Sequence, residues 1–552
     1  MPKLRQSAIY GSRVHTSSQR KQLMSRKSST SIVRPVACRS ATPTLVALAL
    51  ATALAAPTFA FDIDEATITE VHEAFAAGKL TCRALVETYI ERIEEIDQQG
   101  PALNAIISIH PRALELADEM DVAFAEDPDG VGSLHCVPVI LKDNYDTYDM
   151  PTTAASRALE GAIPERDAFV VKRMREADAL MFAKANLTEF AMGGITLSSL
   201  GGQTLNAYDQ TRTPGGSSGG TGAAIAANMG LVGTGSDTGQ STRSPASANN
   251  LVGIRATRGL ISRSGITPLS ATQDEIGPIT RTVEDAARML DVWVGFDPED
   301  PVTAFGIGQA PDSYLDSLDA NALQGARIGV LRDFFGNEEI HKPVNAVVES
   351  ALEVMEELGA TLVDITIPGI DELVSSMGTS AFETAALMEL YLARFGDGTS
   401  HRTLVDIGAT GLVHEDIQPS FDNRRMIKDL LDEPDYTRIF LKRDRLRTVL
   451  MATMAENRVD ALFYPHQKRL VVPVGEDQVD RNGVLSNATG FPAVTFPGGF
   501  SEPTVEAPIG VPVGIEFLGR EWSEPRLLAL AYAFEQGAKL RQKPAYLDPS
   551  DG

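Results

Sequence analysis

The chain has 552 residues, of which 43% are hydrophobic and 22% charged, and a formal net charge of -25. This balance is that of a globular protein with a large core, and the acidic excess excludes nucleic acid and anionic membrane as partners by charge repulsion. Only three cysteines occur, which excludes a disulfide framework and leaves the pairing of Cys82 with Cys136 open.

The first 60 residues predict a cleavable signal peptide. They hold nine Lys/Arg and no Asp or Glu, and they end in a short apolar run followed by the small-residue site TFA at Ala60. The run is too short for a comfortable membrane span. We therefore expect cleavage near Ala60 and export to the periplasm or the exterior. An uncleaved anchor and an organelle-targeting peptide are the alternatives, and Met24 competes with Met1 as the start.

Helix and strand patterns alternate from residue 64 to about residue 290. Two amphipathic helices come first, with Thr67 and Thr81 as N-caps and Gly78 as the stop of the first. CVPVILKDNYDT predicts a short buried strand, and DAFVVKRMREADALMFAKANLTEFA predicts a helix, a strand and another helix. The alternation favours an α/β sheet.

The second half begins with a proline-rich, irregular stretch from residue 295. Strands are predicted at ARIGVL, ATLVDITI, VDALFYP and FPAVTFPGGF, and helices at VNAVVESALEVMEELG and PRLLALAYAFEQGAK. Residues 370 to 450 are predicted to be mostly helical.

The stretch TPGGSSGGTGAAIAANMGLVGTGSDTGQSTRSP, residues 213 to 245, holds most of the glycine–serine clustering. The small apolar residues in it predict a tightly packed helix followed by a strand, which disfavours a flexible linker. A phosphate loop would need Lys-Ser/Thr after its second glycine. GGSSG fits the GxSxG pattern of a serine esterase with Ser217 as nucleophile, but that motif needs a preceding strand and a histidine base. His401, His414 and His466 have no distinctive context.

A neutral lysine is another base that could activate a serine, if burial lowers its pKa. Lys142 stands at the polar end of the apolar strand VPVILKD. Taken alone, a lysine at a strand end is most often a solvated residue.

The segments together resemble the amidase signature family: VPVILKDNYDTYDMPTTAAS, AKANLTEFAMG, the glycine–serine stretch and LVGIRATRGLISRSGITPLSATQDEIGPITRTVEDAARML. The resemblance runs from about residue 64 to 300 and resumes in VDALFYP, LSNATGFPAVTFPGGF and VPVGIEFLGREWSEPRLLALAYAFEQ. It implies one large α/β domain over residues 61–552, with a mixed central sheet covered by helices on both faces and a more variable helical segment at about 370–450.

The resemblance implies hydrolysis of a carboxylic amide to an acid and ammonia or an amine. Ser241 would be the nucleophile, Ser217 the bridging serine after a cis peptide bond from Gly216, and Lys142 the base that draws a proton through Ser217. The remaining implied roles are an oxyanion hole of Thr238, Gly239, Gln240 and Ser241, a supporting Ser218, a bracing Asp237–Arg243 pair, and a cleft wall with Met192 and Gly193. Gln240 stands where the family usually has glycine, a departure that bears on loop shape and acyl-pocket size.

No metal motif occurs in the sequence, and the resemblance implies catalysis without metal or cofactor. The expected partner is a small-molecule amide, without a stable membrane span, and a homodimer is left open. Three alternatives are kept: the GxSxG esterase, a noncatalytic relative that retains the fold, and an amidotransferase subunit that passes ammonia to a partner.

Overall fold

A computed structural model describes residues 61–548; the predicted signal peptide lies outside the described residues. The strands of the described chain are β1 Ile106–Ile109, β2 Pro138–Lys142, β3 Leu180–Ala185, β4 Leu197–Ser198, β5 Gly202–Gln203, β6 Val232–Asp237, β7 Val252–Arg255, β8 Glu275–Thr280, β9 Arg327–Leu331, β10 Thr361–Ile365, β11 Ala461–Pro465, β12 Ala493–Phe500 and β13 Pro512–Leu518.

The α-helices of the same residues are α1 Ile68–Ala76, α2 Cys82–Ile96, α3 Ala113–Glu126, α4 Phe169–Glu176, α5 Gly219–Ala226, α6 Arg243–Ala248, α7 Val283–Trp293, α8 Lys342–Glu357, α9 Ile370–Val374, α10 Ser380–Leu392, α11 Leu404–Ala409, α12 Gln418–Asp422, α13 Pro434–Asn457, α14 Val484–Thr489 and α15 Glu524–Ala538. In this part of the chain, no helix is both long enough and apolar enough to cross a membrane.

Within residues 61–548, eleven strands form one mixed sheet in the order β1-β3-β2-β6-β8-β7-β12-β13-β11-β9-β10. β2 runs parallel to β3 and β6, and β9 runs parallel to β10 and β11; the other neighbours are antiparallel. Every residue of β2, β6, β8 and β13 is buried. Because successive side chains of a strand point to opposite faces, helices and loops must cover both faces of the sheet. The predicted α/β class is confirmed.

The first two helices begin at the predicted caps. The Thr67 hydroxyl accepts a hydrogen bond from the backbone N–H of Glu70, whose carboxylate accepts one from the backbone N–H of Thr67, and Thr81 caps α2 through the N–H of Ala84. Each cap satisfies backbone donors that the first turn leaves free. The structure also joins Cys82 to Cys136 in a disulfide, with the Cα atoms 5.8 Å apart, which ties the start of α2 to the turn before β2.

The predicted helix over NLTEFA is wrong. Only a single 3-10 turn forms, at Glu189–Ala191, because Phe190 and Ala191 adopt positive φ angles of 53° and 58° that no α-helix can continue. The Glu189 carboxylate accepts hydrogen bonds from Ser199 and from the backbone of His414. These tertiary contacts outweigh the local helix preference.

The glycine–serine stretch packs as the helix α5 and the strand β6. All eight residues of α5 are buried, and the helix contacts both β2 and β6. A Cβ atom on Gly220 would lie 2.3 Å from the carbonyl oxygen of Asn186, so only glycine fits there. The small residues thus let α5 pack closely against β2 and β6.

Candidate active site

Lys142 is the last residue of β2, and its side chain is completely buried. Its ammonium nitrogen Nζ lies 2.8 Å from Ser217 Oγ and 2.8 Å from Ser236 Oγ, and 3.4 Å from the Ser236 carbonyl. Asn144 also donates to Ser236 Oγ, at 3.0 Å. The lysine is therefore surrounded by hydroxyl and carbonyl oxygens, and no carboxylate of the described residues contacts it.

Burial sets the charge of this lysine. It lowers the pKa of the Lys142 ammonium to about 7, although the negative charges of Asp237 and Asp274 act in the opposite direction. Desolvation disfavours a charged ammonium where no counter-ion is in contact. Lys142 can consequently lose its proton near neutral pH and then accept one.

Ser217 follows a cis peptide bond from Gly216 and is completely buried. Besides the contact of its hydroxyl with Lys142, its carbonyl accepts a hydrogen bond from the backbone N–H of Thr188. Ser218 donates its N–H to the carbonyl of Ser241 at 3.2 Å, which connects the start of α5 to the loop after β6.

Ser241 lies in the loop between β6 and α6 and is 8% exposed. Among residues 61–548 its hydroxyl makes no hydrogen bond, so the structure shows the Lys142–Ser217 contact without a Ser217–Ser241 hydrogen bond. Within the same residues, the backbone N–H groups of Gly239, Gln240 and Ser241 also have no protein partner. Such free N–H groups beside a nucleophile can receive the oxygen of a tetrahedral intermediate.

A buried charge network holds this loop. Arg243 donates to Asp237 at 3.1 Å, to Glu516 at 2.6 Å and to the carbonyl of Gly239 at 2.9 Å, and Arg255 pairs with Asp237 at 2.8 Å. Burial alone would raise the pKa of Asp237, but the charges of Arg243 and Arg255 outweigh it and lower that pKa. Each charge is therefore paired, as a buried ion requires, and the loop is fixed from behind.

Gln240 fits the loop without backbone strain, since it is not among the positive-φ residues. Its side-chain Oε1 accepts a hydrogen bond from the backbone N–H of Gly483 at 3.2 Å. A Cβ atom on Gly483 would lie 2.5 Å from the Cβ of Gln240. The glutamine that departs from the family pattern is thus accommodated by a glycine on the facing segment.

A cleft of about 430 Å³ opens over Ser241. Its walls include Met192 and Gly193, together with Thr238, Gly239 and Gln240. The Thr238 hydroxyl itself is held by Asp274, at 2.7 Å.

Four residues near the site were not singled out from the sequence. Ser236 and Asn144 contact Lys142 or its partners, and Arg424 and Arg481 line the cleft. Ser236 directly precedes Asp237, which the resemblance marked, so its position in the sequence could have indicated that it belongs to the site. Arg424 lies in the variable segment at about 370–450, Arg481 lies between two of the segments that carry the resemblance, and no sequence pattern marks either residue.

The histidines do not join the two serines. His466 is fully buried and its Nδ1 lies 2.6 Å from Glu516 Oε2, within the charge network. Burial alone would raise the pKa of Glu516. The charge of Arg243 and then that of His466 outweigh this effect and lower the pKa of Glu516 to about 2. Neither His401 nor His414 lines the cleft, and no strand directly precedes Gly215, so the features that a GxSxG esterase requires are missing from the described residues.

The chain is similar to known proteins over most of its length. The Amidase family model matches residues 84–528. A glutamyl-tRNA(Gln) amidotransferase subunit of Thermoanaerobacter pseudethanolicus is 34% identical over 495 residues, covering 87% of this chain and 97% of that protein. A probable amidase of Arabidopsis thaliana is 33% identical over 506 residues, covering 88% and 93%.

Solved structures of related proteins share the fold of this chain. Peptide amidase of Stenotrophomonas maltophilia matches with a TM-score of 0.79 and 32% identity, covering 87% of this chain and 98% of that one. The corresponding amidotransferase subunit of Thermotoga maritima matches with a TM-score of 0.65 and 27% identity, covering 88% and 99%. The fold and these relatives define a hydrolase of carboxylic amide C–N bonds. The chain belongs to the Amidase family.

The same comparison overturns the prediction of a signal peptide and of a periplasmic or secreted protein. Several relatives are subunits of an amidotransferase named for glutamyl-tRNA, an intracellular molecule. The prediction rested on the leader pattern alone: a basic stretch, a short apolar run and a small-residue site satisfy the pattern of a signal peptide whatever the compartment of the catalytic domain.

Proposed function

We propose that Ser241 is the nucleophile of a Lys142–Ser217–Ser241 relay. The observation that carries this proposal is the buried Lys142, whose pKa is lowered to about 7 and whose Nζ lies 2.8 Å from Ser217 Oγ. Neutral Lys142 accepts the Ser217 proton while Ser217 accepts the proton of Ser241, and Ser241 Oγ attacks the carbonyl carbon. Hydrogen bonds of this kind are often open without substrate and close in the complex.

The tetrahedral intermediate places negative charge on the former carbonyl oxygen. The free N–H groups of Gly239, Gln240 and Ser241 stabilise it, because the Asp237–Arg243 pair keeps the loop from rearranging. The relay then returns the proton to the leaving nitrogen, and water hydrolyses the acyl-enzyme. No metal or cofactor takes part in this scheme.

The proposed substrate is a small-molecule amide that yields an acid and ammonia or an amine. We propose that one amidase domain spans residues 61–552 and that the segment at about 370–450 determines substrate specificity. The stronger structural likeness to peptide amidase supports an enzyme that acts on its own. The relatives named as amidotransferase subunits favour a second candidate, in which ammonia from glutamine passes to a partner protein.

A fluorophosphonate probe tests the nucleophile. We expect labelling of the wild-type protein, with the adduct on Ser241 by peptide mass spectrometry, and loss of labelling in Ser241→Ala. Ser247→Ala is the matched control, since Ser247 is a buried serine on α6 whose hydroxyl only accepts from the Gly514 N–H. An adduct on Ser217 would instead support the esterase, and a folded protein without labelling would support the noncatalytic alternative.

Ammonia release separates the two candidate amidases. The purified chain alone should hydrolyse peptide amides or simple linear amides. Hydrolysis confined to glutamine, and stimulated by a bound partner, would favour the amidotransferase component.

A further inference from the structure

The carbonyl of Gly239, in the loop that carries Ser241, is held by two donors. One is Arg243 Nη2, at 2.9 Å, and the other is the side-chain Nδ2 of Asn487 on α14, also at 2.9 Å. A carbonyl oxygen has two lone pairs, and both are used here. A single hydrogen bond would leave the peptide unit free to turn about it, whereas two donors from separate helices fix its plane.

The same peptide unit carries the N–H of Gln240. This peptide bond is trans, because the only cis bond within residues 61–548 joins Gly216 to Ser217. In a planar trans peptide the C=O and the following N–H point in opposite directions. Fixing the Gly239 carbonyl therefore also fixes the direction of the Gln240 N–H, which has no protein partner in the described part of the chain.

The side-chain amide of Asn487 is itself oriented by a chain of hydrogen bonds. Its Oδ1 accepts a hydrogen bond from Gln273 Nε2 at 3.1 Å, and Gln273 Oε1 accepts the backbone N–H of Thr379 at 2.7 Å. A backbone N–H can only donate. It therefore makes Gln273 present its amide nitrogen to Asn487, which in turn presents its own nitrogen to the Gly239 carbonyl.

This hydrogen-bond chain begins in the variable helical segment. Thr379 directly precedes α10 and lies between Gly378 and Ser380, which both line the cleft. Thr379 and Gln273 are buried, so water does not compete for their hydrogen bonds. The chain thus connects the wall of the cleft to the loop that holds the nucleophile.

We propose that Asn487 is a positioning residue of the oxyanion hole, oriented by Gln273 and the backbone N–H of Thr379. The inference rests on the proposed function, in which the N–H of Gln240 helps to receive the oxygen of the tetrahedral intermediate. Asn487 acts through the Gly239 carbonyl. Its loss would leave the Gln240 donor present but poorly aimed, so the rate of the chemical step should fall while the proton relay stays intact.

The reaction of Ser241 with a fluorophosphonate probe tests this role. The phosphoryl oxygen of the probe takes the place of the carbonyl oxygen, so the measurement needs no knowledge of the substrate. At saturating probe, we expect Asn487→Ala to react roughly 10- to 100-fold more slowly than the wild type, because one oxyanion donor is misdirected. The probe concentration that gives half of the maximal rate should change little.

Gln273→Met tests the orientation of the amide. It keeps the length of the side chain and removes both of its polar groups, which leaves the Asn487 amide free to turn. We expect a smaller loss of maximal rate than in Asn487→Ala, and the double variant should react no more slowly than Asn487→Ala, since both changes act on one hydrogen bond. Losses that multiply would overturn the hydrogen-bond chain. If Asn487→Ala does not fold, Gln273→Met decides alone, because the proposal requires a lower maximal rate in it.

The pH profile of labelling distinguishes a positioning role from general damage to the site. Its midpoint depends on Lys142 and should stay at the wild-type value in Asn487→Ala, while the plateau falls. A shifted midpoint would place the defect in the proton relay and overturn the proposal. Asn345→Ala is the matched control, because Asn345 is also partly buried and donates its Nδ2 to a glycine carbonyl, that of Gly336, at 2.7 Å. Asn345 does not line the cleft, so the control should react at the wild-type rate.

The outcomes separate this inference from the relay. A wild type that the probe does not label would refute the relay, and the inference with it. A labelled wild type together with an unchanged maximal rate in Asn487→Ala would refute the inference alone.

Discussion

Two buried lysines on neighbouring strands have opposite surroundings. Lys142 ends β2 and Lys184 lies in β3, and neither side chain is exposed. Leu141, not Lys142, is the register partner of Lys184, so the two lysines point to opposite faces of the sheet.

The difference lies in their counter-ions. Lys184 Nζ is 3.8 Å from Asp143 Oδ1 and donates to the Tyr145 carbonyl and the Thr152 hydroxyl. Burial lowers the pKa of both lysines, but Lys184 has a carboxylate in contact to support its charge, whereas Lys142 has only hydroxyl and carbonyl oxygens. A buried lysine becomes a base where the protein withholds the carboxylate, and a structural cation where it supplies one.

Removing Lys142 should give the largest effect. We expect Lys142→Ala to lower kcat/KM for amide hydrolysis on the order of 10⁴-fold or more, since relay members act as a unit. Lys142→Arg should not restore activity, because a guanidinium stays protonated. Activity within 10-fold of the wild type would contradict the contrast between the lysines.

Removing Lys184 should act on stability instead. Lys184→Met leaves the Asp143 carboxylate buried without its cation, and we expect a loss of about 3 kcal/mol in the free energy of unfolding. The folded fraction should keep its dependence of rate on pH. Lys172→Met is the control, because Lys172 forms an exposed pair with Glu176 at 3.7 Å and should change stability by less than about 0.5 kcal/mol. Urea unfolding with an activity assay measures both properties.

The pH dependence sharpens the contrast further. Neutral Lys142 is the active form, so kcat/KM should rise with pH through the lysine pKa of about 7 and then level off. The unfolded chain holds the lysine proton up to about pH 10.4, while the folded chain releases it near 7. Between these values Lys142 should make stability rise with pH, by up to about 1.4 kcal/mol per pH unit. Lys142→Met should lack this contribution, and an identical slope in both proteins would argue against a neutral lysine.

The histidines should give the smallest effects on rate. His401→Ala, His414→Ala and His466→Ala should each keep kcat/KM within about 10-fold of the wild type, since a lost structural contact outside the relay is worth about 1 kcal/mol. His466→Ala should also cost stability, because it removes a hydrogen bond to the buried Glu516. If one of these variants were as inactive as Lys142→Ala, a histidine would be the base.

Local features could be predicted from the sequence. Thr67 and Thr81 cap their helices through residues three positions on, and the α/β alternation depends on short patterns, so neighbouring residues suffice to predict them. The helix over NLTEFA was wrong because distant partners of Glu189 determine the turn. The exported location was wrong because a leader-like pattern does not depend on the catalytic domain.

The candidate site likewise contains residues that could be predicted from the sequence and residues that could not. Lys142, Ser217 and Ser241 were named because long segments around them resemble one family, and the structure places the first two in contact. Arg481 was not predicted because its position on the cleft depends on residues distant in the sequence. Gly194 leaves room for its guanidinium, and the described lining of the cleft contains no carboxylate. Neither property can be seen in the residues beside it in sequence.

The contact between Gln240 and Gly483 makes the order of mutations matter. With Gln240 present, an alanine at position 483 would collide with its Cβ at 2.5 Å, whereas a glycine at position 240 would leave only the Gly239 carbonyl oxygen, 3.0 Å away, close to the new methyl group. The two positions are therefore epistatic: the change at 240 opens the path to a side chain at 483, and the reverse order passes through a damaged loop. Laboratory evolution aimed at a wider acyl pocket should therefore reach substitutions at 483 only in lineages that have already lost the glutamine.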